Sequence, residues 1–275
     1  MHLPLTEALV PPRGLIVFDQ TGSTNDELRM LASDPSTPVP EFTTVVTSSQ
    51  TAGRGRLGRV WVAPPGQGLA MSVLLRPTLP NGAPLPIEYW GWLPLIAGVA
   101  MTRAVASLLP GRQVALKWPN DVQVGGLKVC GILAELLPGT ANSGDAVVLG
   151  MGLNLAIPAD GLPTPHSTSL LVEGAELAGV ALADAAGSRW HTQFQLLYRA
   201  FTVAGGEAET SGIRSAVDAV CSTLGNRVRV HLPGGADLVG SAVDIDGSGR
   251  LRIRDDTDAS LQAVAAGDVT HLRYE

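Results

Sequence analysis

Three arginines alternate with three glycines in the segment Ser49-Gln50-Thr51-Ala52-Gly53-Arg54-Gly55-Arg56-Leu57-Gly58-Arg59. Glycine lets the backbone approach a ligand closely and adopt positive φ, and arginine offers paired donors that match a phosphate or a carboxylate. Such a loop suits a ligand with several anionic oxygens, for which a nucleotide is the obvious candidate. A solvated basic loop, or a nucleic-acid contact of the RGG kind, has the same composition, and composition alone does not separate them. The spacing departs from G-x-x-x-x-G-K-[ST], so a Walker-type phosphate loop is excluded.

A second group is Lys117-Trp118-Pro119-Asn120-Asp121, followed by Lys128. Lysine, asparagine and aspartate at a strand end could hold a substrate and a metal–phosphate. Taken singly, Trp118 reads as core packing and a lone lysine as solvated surface. Lys128 is different because it opens the apolar run KVCGILAE, where a cation lies near buried surface. Of the 19 basic residues only Lys117 and Lys128 are lysines, a bias that a GC-rich genome produces by itself, and both survive in this stretch. A third group, Val147-Val148-Leu149-Gly150-Met151-Gly152-Leu153-Asn154, places glycines at alternate positions of an apolar strand. That pattern admits a planar ligand or another backbone, and close packing explains it equally well.

These groups need elements to carry them. Residues 15–19 read as a strand, and a helix opens at Ser23–Glu27, with Thr24 and Glu27 at capping-box spacing. Pro35, Pro38 and Pro40 mark a loop. Residues 43–49, 69–75, 114–118, 128–135 and 146–156 are strand-like, with a hairpin turn at Gly125-Gly126. Residues 93–109 and 181–204 carry helical patterns, the second through Trp190, Phe194, Leu197 and Phe201. From about residue 224, RVRVHL, LVGSAVDI and RLRIR alternate between PGGAD and DGSG turns, the texture of a small β-barrel. The fold class expected is α+β: a mixed sheet with helices over residues 1–220, then an all-β unit over 221–275.

The chain has 275 residues and a formal net charge of −6, which argues against a main function of gripping nucleic acid. Cys130 and Cys221 form neither a disulfide framework nor a metal-ligand spacing. The N-terminus lacks a basic region followed by a long apolar core, and the apolar run from Trp90 to Thr102 is short for a membrane span. The expectation is a cytoplasmic protein that does not engage membranes.

TGSTN at 21–25, QTAGRGRLGRVW at 50–61, KWPND at 117–121, GGLKVCGILAE at 125–135 and VVLGMGLNLA at 147–156 together resemble the ordered signature of biotin protein ligases. The barrel-like C-terminus resembles theirs too, and the likeness covers about residues 15–273. It implies the fold shared with class II aminoacyl-tRNA synthetases plus an SH3-like barrel. It also implies biotin and ATP as substrates, Mg²⁺ as the metal, and the lysine of a biotin carboxyl carrier protein as acceptor. By resemblance, Ser23, Thr24, Asn25, Gln50, Gly53 and Gly131 line the biotin pocket. Arg54, Gly55 and Arg56 belong to a loop that folds over biotin and the adenylate, and Lys128 sits at the reacting carboxylate and phosphate. Arg59, Trp61, Asn120 and Asn154 lie near the nucleotide, with Asp121 near the metal. Lys128, Arg54 and Arg56 are then the catalytic cations. Without ligand the glycine-rich loop has little to bury and is expected to be mobile.

Two other classes compete with this reading: a lipoate or octanoate ligase, and a non-enzymatic biotin- or DNA-binding regulator, against which the retained Lys128 speaks. Lipoate or octanoate ligases share the fold and the reaction type, but the GRGRxGR loop and the C-terminal barrel favour biotin. Some members also repress transcription through an N-terminal winged helix. Twenty residues before TGSTN are too few for one, so specific DNA binding is not expected.

Overall fold

The computed structural model describes residues 14–34, 36, 39–139, 144–232, 237–265 and, as backbone alone, 272–274. Strand β1 (Leu15–Phe18) runs parallel to β2 (Thr44–Thr47), with helix α1 (Thr24–Ser33) between them in the chain. Strand β3 (Gly68–Leu75), helix α2 (Leu93–Leu108) and strands β4 (Val114–Lys117), β5 (Asp121–Val124), β6 (Leu127–Leu137) and β7 (Ala146–Asn154) follow. The seven strands make one mixed sheet in the order β1-β2-β3-β7-β6-β5-β4. Helices α3 (Gly179–Val203) and α4 (Ile213–Asp218) complete this unit.

The two faces of the sheet differ. Successive side chains of a strand point to opposite faces, so each strand sorts its residues by parity. Leu69, Met71, Val73 and Leu75 of β3 join Val147, Leu149, Met151 and Leu153 of β7 in the large core shared with α2 and α3. There Trp190 stacks on Phe194 at 5.3 Å, and Phe42 meets Tyr198 edge-on at 5.3 Å. The opposite parity holds Leu74 and Val148, which pack with Leu28 of α1 and Val45 of β2 in a smaller cluster. Ser72, Gly150 and Gly152 share that second face by parity, beyond the small cluster.

The turn between β5 and β6 is two residues long, with Gly125 at φ 57° and Gly126 at φ 84°. Positive φ at both central positions is the requirement of a type I′ hairpin, which glycine meets without steric cost. The segment Ile87–Leu108 is long and apolar enough to cross a membrane, yet it is mostly buried inside the protein, as a core helix is.

The C-terminal strands β8 (Arg227–His231), β9 (Asp237–Ile245), β10 (Leu251–Asp255), β11 (Leu261–Val264) and β12 (Leu272–Tyr274) form an antiparallel sheet, order β11-β10-β9-β8-β12. Its Asp246–Gly249 turn reaches the larger unit: Trp92 Nε1 donates to Gly247 O at 2.8 Å, and Trp118 Nε1 to Gly249 O at 3.2 Å.

One local expectation fails. Ser23, not Thr24, is the N-cap of α1, and no side chain closes the cap. The Thr24 hydroxyl turns to Gln50, and Glu27 accepts from Thr21 Oγ1, so tertiary partners take both members of the expected capping box. Pro35 and Pro38 lie outside the described residues, as does most of the PGGAD turn.

Candidate functional site

The second sheet face carries a line of polar groups. Ser72, wholly buried on β3, places its Oγ 2.7 Å from Thr24 Oγ1 and 2.6 Å from Asn25 Oδ1, and its single proton serves one of the two. Thr24 donates its backbone N–H to Gln50 Oε1 at 2.8 Å and its hydroxyl at 3.1 Å. Asn25 Nδ2 donates to Glu135 Oε2 at 2.6 Å. The first turn of α1, the strand β3 and the segment entering the arginine loop are thereby fixed to one another. Ser23, Thr24 and Asn25 are all nearly inaccessible.

The alternating glycines of β7 explain how these side chains fit. A Cβ on Gly150 would lie 2.2 Å from Asn25 Oδ1, and one on Gly152 would lie 2.5 Å from Trp61 Cε2. The planar group admitted by the strand is the protein's own Trp61 ring, beside the Asn25 amide.

The arginine loop closes on itself. Trp61 N–H donates to Gly53 O at 2.9 Å and Gly55 N–H to Arg59 O at 2.6 Å, with Arg54 and Val60 bridged between them. Two arginines reach back to the sheet. Arg54 Nη2 donates to both Glu135 oxygens at 3.2 and 3.1 Å, and its Nη1 pairs with Asp26. The hydrogen bond to Asp26 raises the Arg54 pKa above the ordinary arginine value. Arg56 Nη1 donates to Asn120 Oδ1 at 3.1 Å. Burial presses the Arg56 pKa down, Asp121 opposes that shift and Arg59 adds to it. A half-buried guanidinium under such pressure favours an arriving anion.

Lys128 lies 2.6 Å from Asp121 through Nζ and Oδ1. The register of β5 on β6 sets this pair, since Asp121 faces Gly131 across the ladder. A Cβ on Gly131 would come within 3.1 Å of Lys128 Nζ, so the missing side chain leaves room for the ammonium. Asn120 is held to β6 twice: its Nδ2 donates to Ile132 O, and its carbonyl accepts from Ile132 N–H. The adjacent Cys130 thiol is driven up by burial, which makes it inert as a nucleophile.

Asn154 and Arg59 stand apart from this cluster, and Gly53 packs within it. Asn154 is buried and donates to Thr168 O at 2.9 Å. It tethers a segment that also pairs with Lys128, through Lys128 N–H to His166 O and Thr168 N–H to Lys128 O. Arg59 and Leu57 lie on the exposed outer side of the loop. Gly53 is buried, and a Cβ there would come within 2.7 Å of Gln50 Nε2.

Sequence reasoning missed Asp26, Ser72 and Glu135. Glu135 carried a usable signal, since it lies on the same parity of β6 as Gly131 and closes the KVCGILAE run.

No group of three or more His, Cys, Asp or Glu able to hold a metal occurs among the described residues. Magnesium that arrives with nucleotide phosphates is held through one or two carboxylates and keeps several waters; Asp121 is a carboxylate of this cluster, 2.6 Å from Lys128.

Residues 17–154 match the model of the biotin/lipoate A/B protein ligase family, and residues 223–272 that of the biotin protein ligase C-terminal domain. The biotin–[acetyl-CoA-carboxylase] ligase of Mycobacterium tuberculosis is 40% identical over 95% of this chain and 90% of its own length. The enzyme of the same name from Paracoccus denitrificans is 33% identical over 91% of this chain and 97% of its own. A biotin protein ligase from Aquifex aeolicus, solved with biotin and ATP, superimposes with a TM-score of 0.71 at 25% identity, covering 96% of this chain and 100% of that one. With a matching catalytic family, a matching C-terminal domain and full-length relatives, the chain belongs to the biotin protein ligases.

Proposed function

We propose that the polar face of the sheet binds biotin and that the cations beside it activate the biotin carboxylate with ATP. Biotin–protein ligase activity comes with the family; the residue roles are our reading. Thr24, Asn25 and Gln50, with Ser23 beside them, form the pocket for the polar ring. Lys128, Arg54 and Arg56 face the carboxylate and the α-phosphate, and Asn120, Trp61 and Asn154 lie towards the nucleotide. The carboxylate attacks the α-phosphorus, the bond to the bridging oxygen breaks, and pyrophosphate leaves. Both reactants are anions, so fixed positive charge lowers their repulsion and stabilises the charge that builds on the non-bridging oxygens. Magnesium, held by Asp121 and the phosphates, would neutralise part of the nucleotide charge. The arginine loop shields the resulting mixed anhydride, biotinyl-5′-AMP, from water. A lysine of a carboxylase carrier domain then attacks the acyl carbon and releases AMP.

The observation that carries this reading is a run of contacts along one sheet face: Gln50 on Thr24, Asn25 and Arg54 on Glu135, and Arg56 on Asn120, next in the chain to the Asp121 that pairs with Lys128. Transfer of labelled biotin to a carrier domain tests it. Labelling should require ATP and this chain together. Labelling without ATP, or exchange of pyrophosphate supported by lipoate in place of biotin, would sink it.

A further inference from the structure

Glu135, which the sequence did not single out, joins two residues of the proposed site, Asn25 and Arg54. Its Oε2 accepts from Asn25 Nδ2 at 2.6 Å, and its two oxygens accept from Arg54 Nη2 at 3.2 and 3.1 Å. Arg29 Nη2 lies 3.1 Å from Oε1. The side chain is 22% exposed, so these charge-assisted contacts are made at the edge of the protein interior rather than in bulk water.

The geometry has two consequences. Asn25 can present either its oxygen or its nitrogen to a given neighbour, and the carboxylate accepts only from nitrogen. Glu135 therefore fixes the Asn25 amide with Nδ2 outward, leaving Oδ1 for Ser72, 2.6 Å away. The contacts also close a circuit. Gln50, at the entry of the arginine loop, is bonded to Thr24; Ser72 lies against both Thr24 and Asn25; Asn25 is bonded to Glu135, and Glu135 to Arg54 inside the loop. Both ends of this polar chain lie in the loop, and its middle is the pocket wall. Movement of the loop and orientation of the wall are thus mechanically joined through one carboxylate.

We infer that Glu135 is a positioning residue that couples the biotin pocket to the arginine loop, so that the loop stays closed over the adenylate while the pocket is filled. The inference rests on the site reading above. It makes Glu135 important for retaining biotin and its adenylate, and less important for phosphoryl chemistry, because no contact joins it to Lys128.

Glu135→Gln tests this. The amide keeps shape and one acceptor but puts an N–H where Asn25 or Arg54 also donates. In biotin-dependent pyrophosphate exchange, KM for biotin should rise about tenfold, the factor that one charge-assisted hydrogen bond supplies. The half-life of enzyme-bound biotinyl-5′-AMP after gel filtration should shorten by a similar factor, and kcat should change much less. Glu135→Asp, which restores the charge on a shorter arm, should recover part of both. In an Arg54→Ala background, Glu135→Gln should shorten the adenylate half-life little further, because closure of the loop runs through that one link. If Glu135→Gln lowers the melting temperature but leaves KM and adenylate half-life at wild-type values, Glu135 is only a structural ion pair and the inference is overturned. Full additivity with Arg54→Ala overturns it as well. Should the Gln variant not fold, the Asp variant decides: a wild-type half-life there also refutes the coupling. A wild-type chain without biotin-dependent exchange would overturn the site reading itself.

Discussion

Two segments lean on the same site and are attached to it by opposite means. The arginine loop is held by partly exposed charges: side-chain exposure is 36% at Arg54, 50% at Asp26 and 22% at Glu135. The Asp246–Gly249 turn of the C-terminal sheet is held by indole N–H groups of Trp92 and Trp118, both fully buried. Arg214 lies over the Trp92 ring at 5.2 Å, and a Cβ on Gly249 would come within 2.7 Å of the Gly91 backbone. Exposed ion pairs contribute about 1 kcal/mol or less, whereas a buried tryptophan is worth several. The loop is therefore fastened by contacts that water reaches and can open, and the turn by contacts that solvent does not reach. Opening to admit substrate belongs to the loop. The C-terminal sheet acts as a fixed buttress behind the β4–β5 turn, which carries Asn120 and leads into Asp121.

The largest effect expected is at that buttress. Trp118→Ala should lower unfolding free energy by about 3–5 kcal/mol, and Arg54→Ala by about 1 kcal/mol or less. Urea unfolding of both variants measures the contrast. Equal losses would erase the distinction between a fixed and an exchangeable attachment.

Lys128→Ala belongs to neither attachment, and so it isolates chemistry from positioning. Loss of one preorganised cation should lower biotin-dependent pyrophosphate exchange by about 10²–10³-fold. Circular dichroism and the urea midpoint should stay near wild type. Lys128→Arg should not rescue, because a planar fork does not replace a compact ammonium against Asp121. Exchange near the wild-type rate in either variant removes Lys128 from the reaction.

Acid should weaken the core before it weakens the loop. His191 of α3 is 1% exposed, with its Nε2 3.5 Å from Thr44 Oγ1 and Phe42 and Trp190 around the ring. Burial pushes its pKa from 6.5 down to about 4. The folded state thus favours the neutral ring. Its stabilising effect is complete above the unfolded value near 6.5 and is lost as pH falls from there through about 4. By pH 5 the loss should be about 2 kcal/mol. Chemical denaturation at pH 7 and pH 5 measures it, with His191→Leu as the variant that should remove most of the slope. An unchanged slope in that variant would place the acid sensitivity elsewhere.

Much of this architecture could be read from the sequence, for a physical reason. Residues that meet phosphate or carboxylate have few substitutes, so Lys128 and the loop arginines are legible as types. The strands that carry them are legible because one face is apolar. What could not be read depends on tertiary register. Glu135 reaches Asn25 across 110 positions and Arg54 across 81. Ser72 sits in an apolar strand whose parity alone turns it towards α1. The capping-box pattern misled because a tertiary acceptor, Gln50, outcompeted the local one for Thr24. The alternating glycines announced a close approach but could not name Trp61 as what approaches.

The smallest effect expected concerns the loop itself, and it tests the exchangeable half of the comparison most directly. The loop is tied down by its own short hairpin and by Arg54 and Arg56, while Leu57 and Val60 remain 53% and 74% exposed. Arg59 is exposed beside them, so the bond between Arg59 and Val60 is the natural point of attack for trypsin, ahead of those after Arg54 and Arg56, whose side chains face the sheet. Cleavage needs an opened segment of several residues, so its rate follows the open fraction when opening and closing are fast. A ligand that binds only the closed loop, at ten times its Kd, reduces that fraction about tenfold. Biotin with ATP should therefore slow the cut after Arg59 by roughly this factor, and biotin alone by less, because the adenylate adds a phosphate for the loop cations to hold. Trypsin cleavage at other arginines, such as those of the C-terminal sheet, should not respond. A loop cut equally fast with and without both substrates would mean that the ion pairs to Asp26 and Glu135 are permanent, and that the loop is as fixed as the buttress.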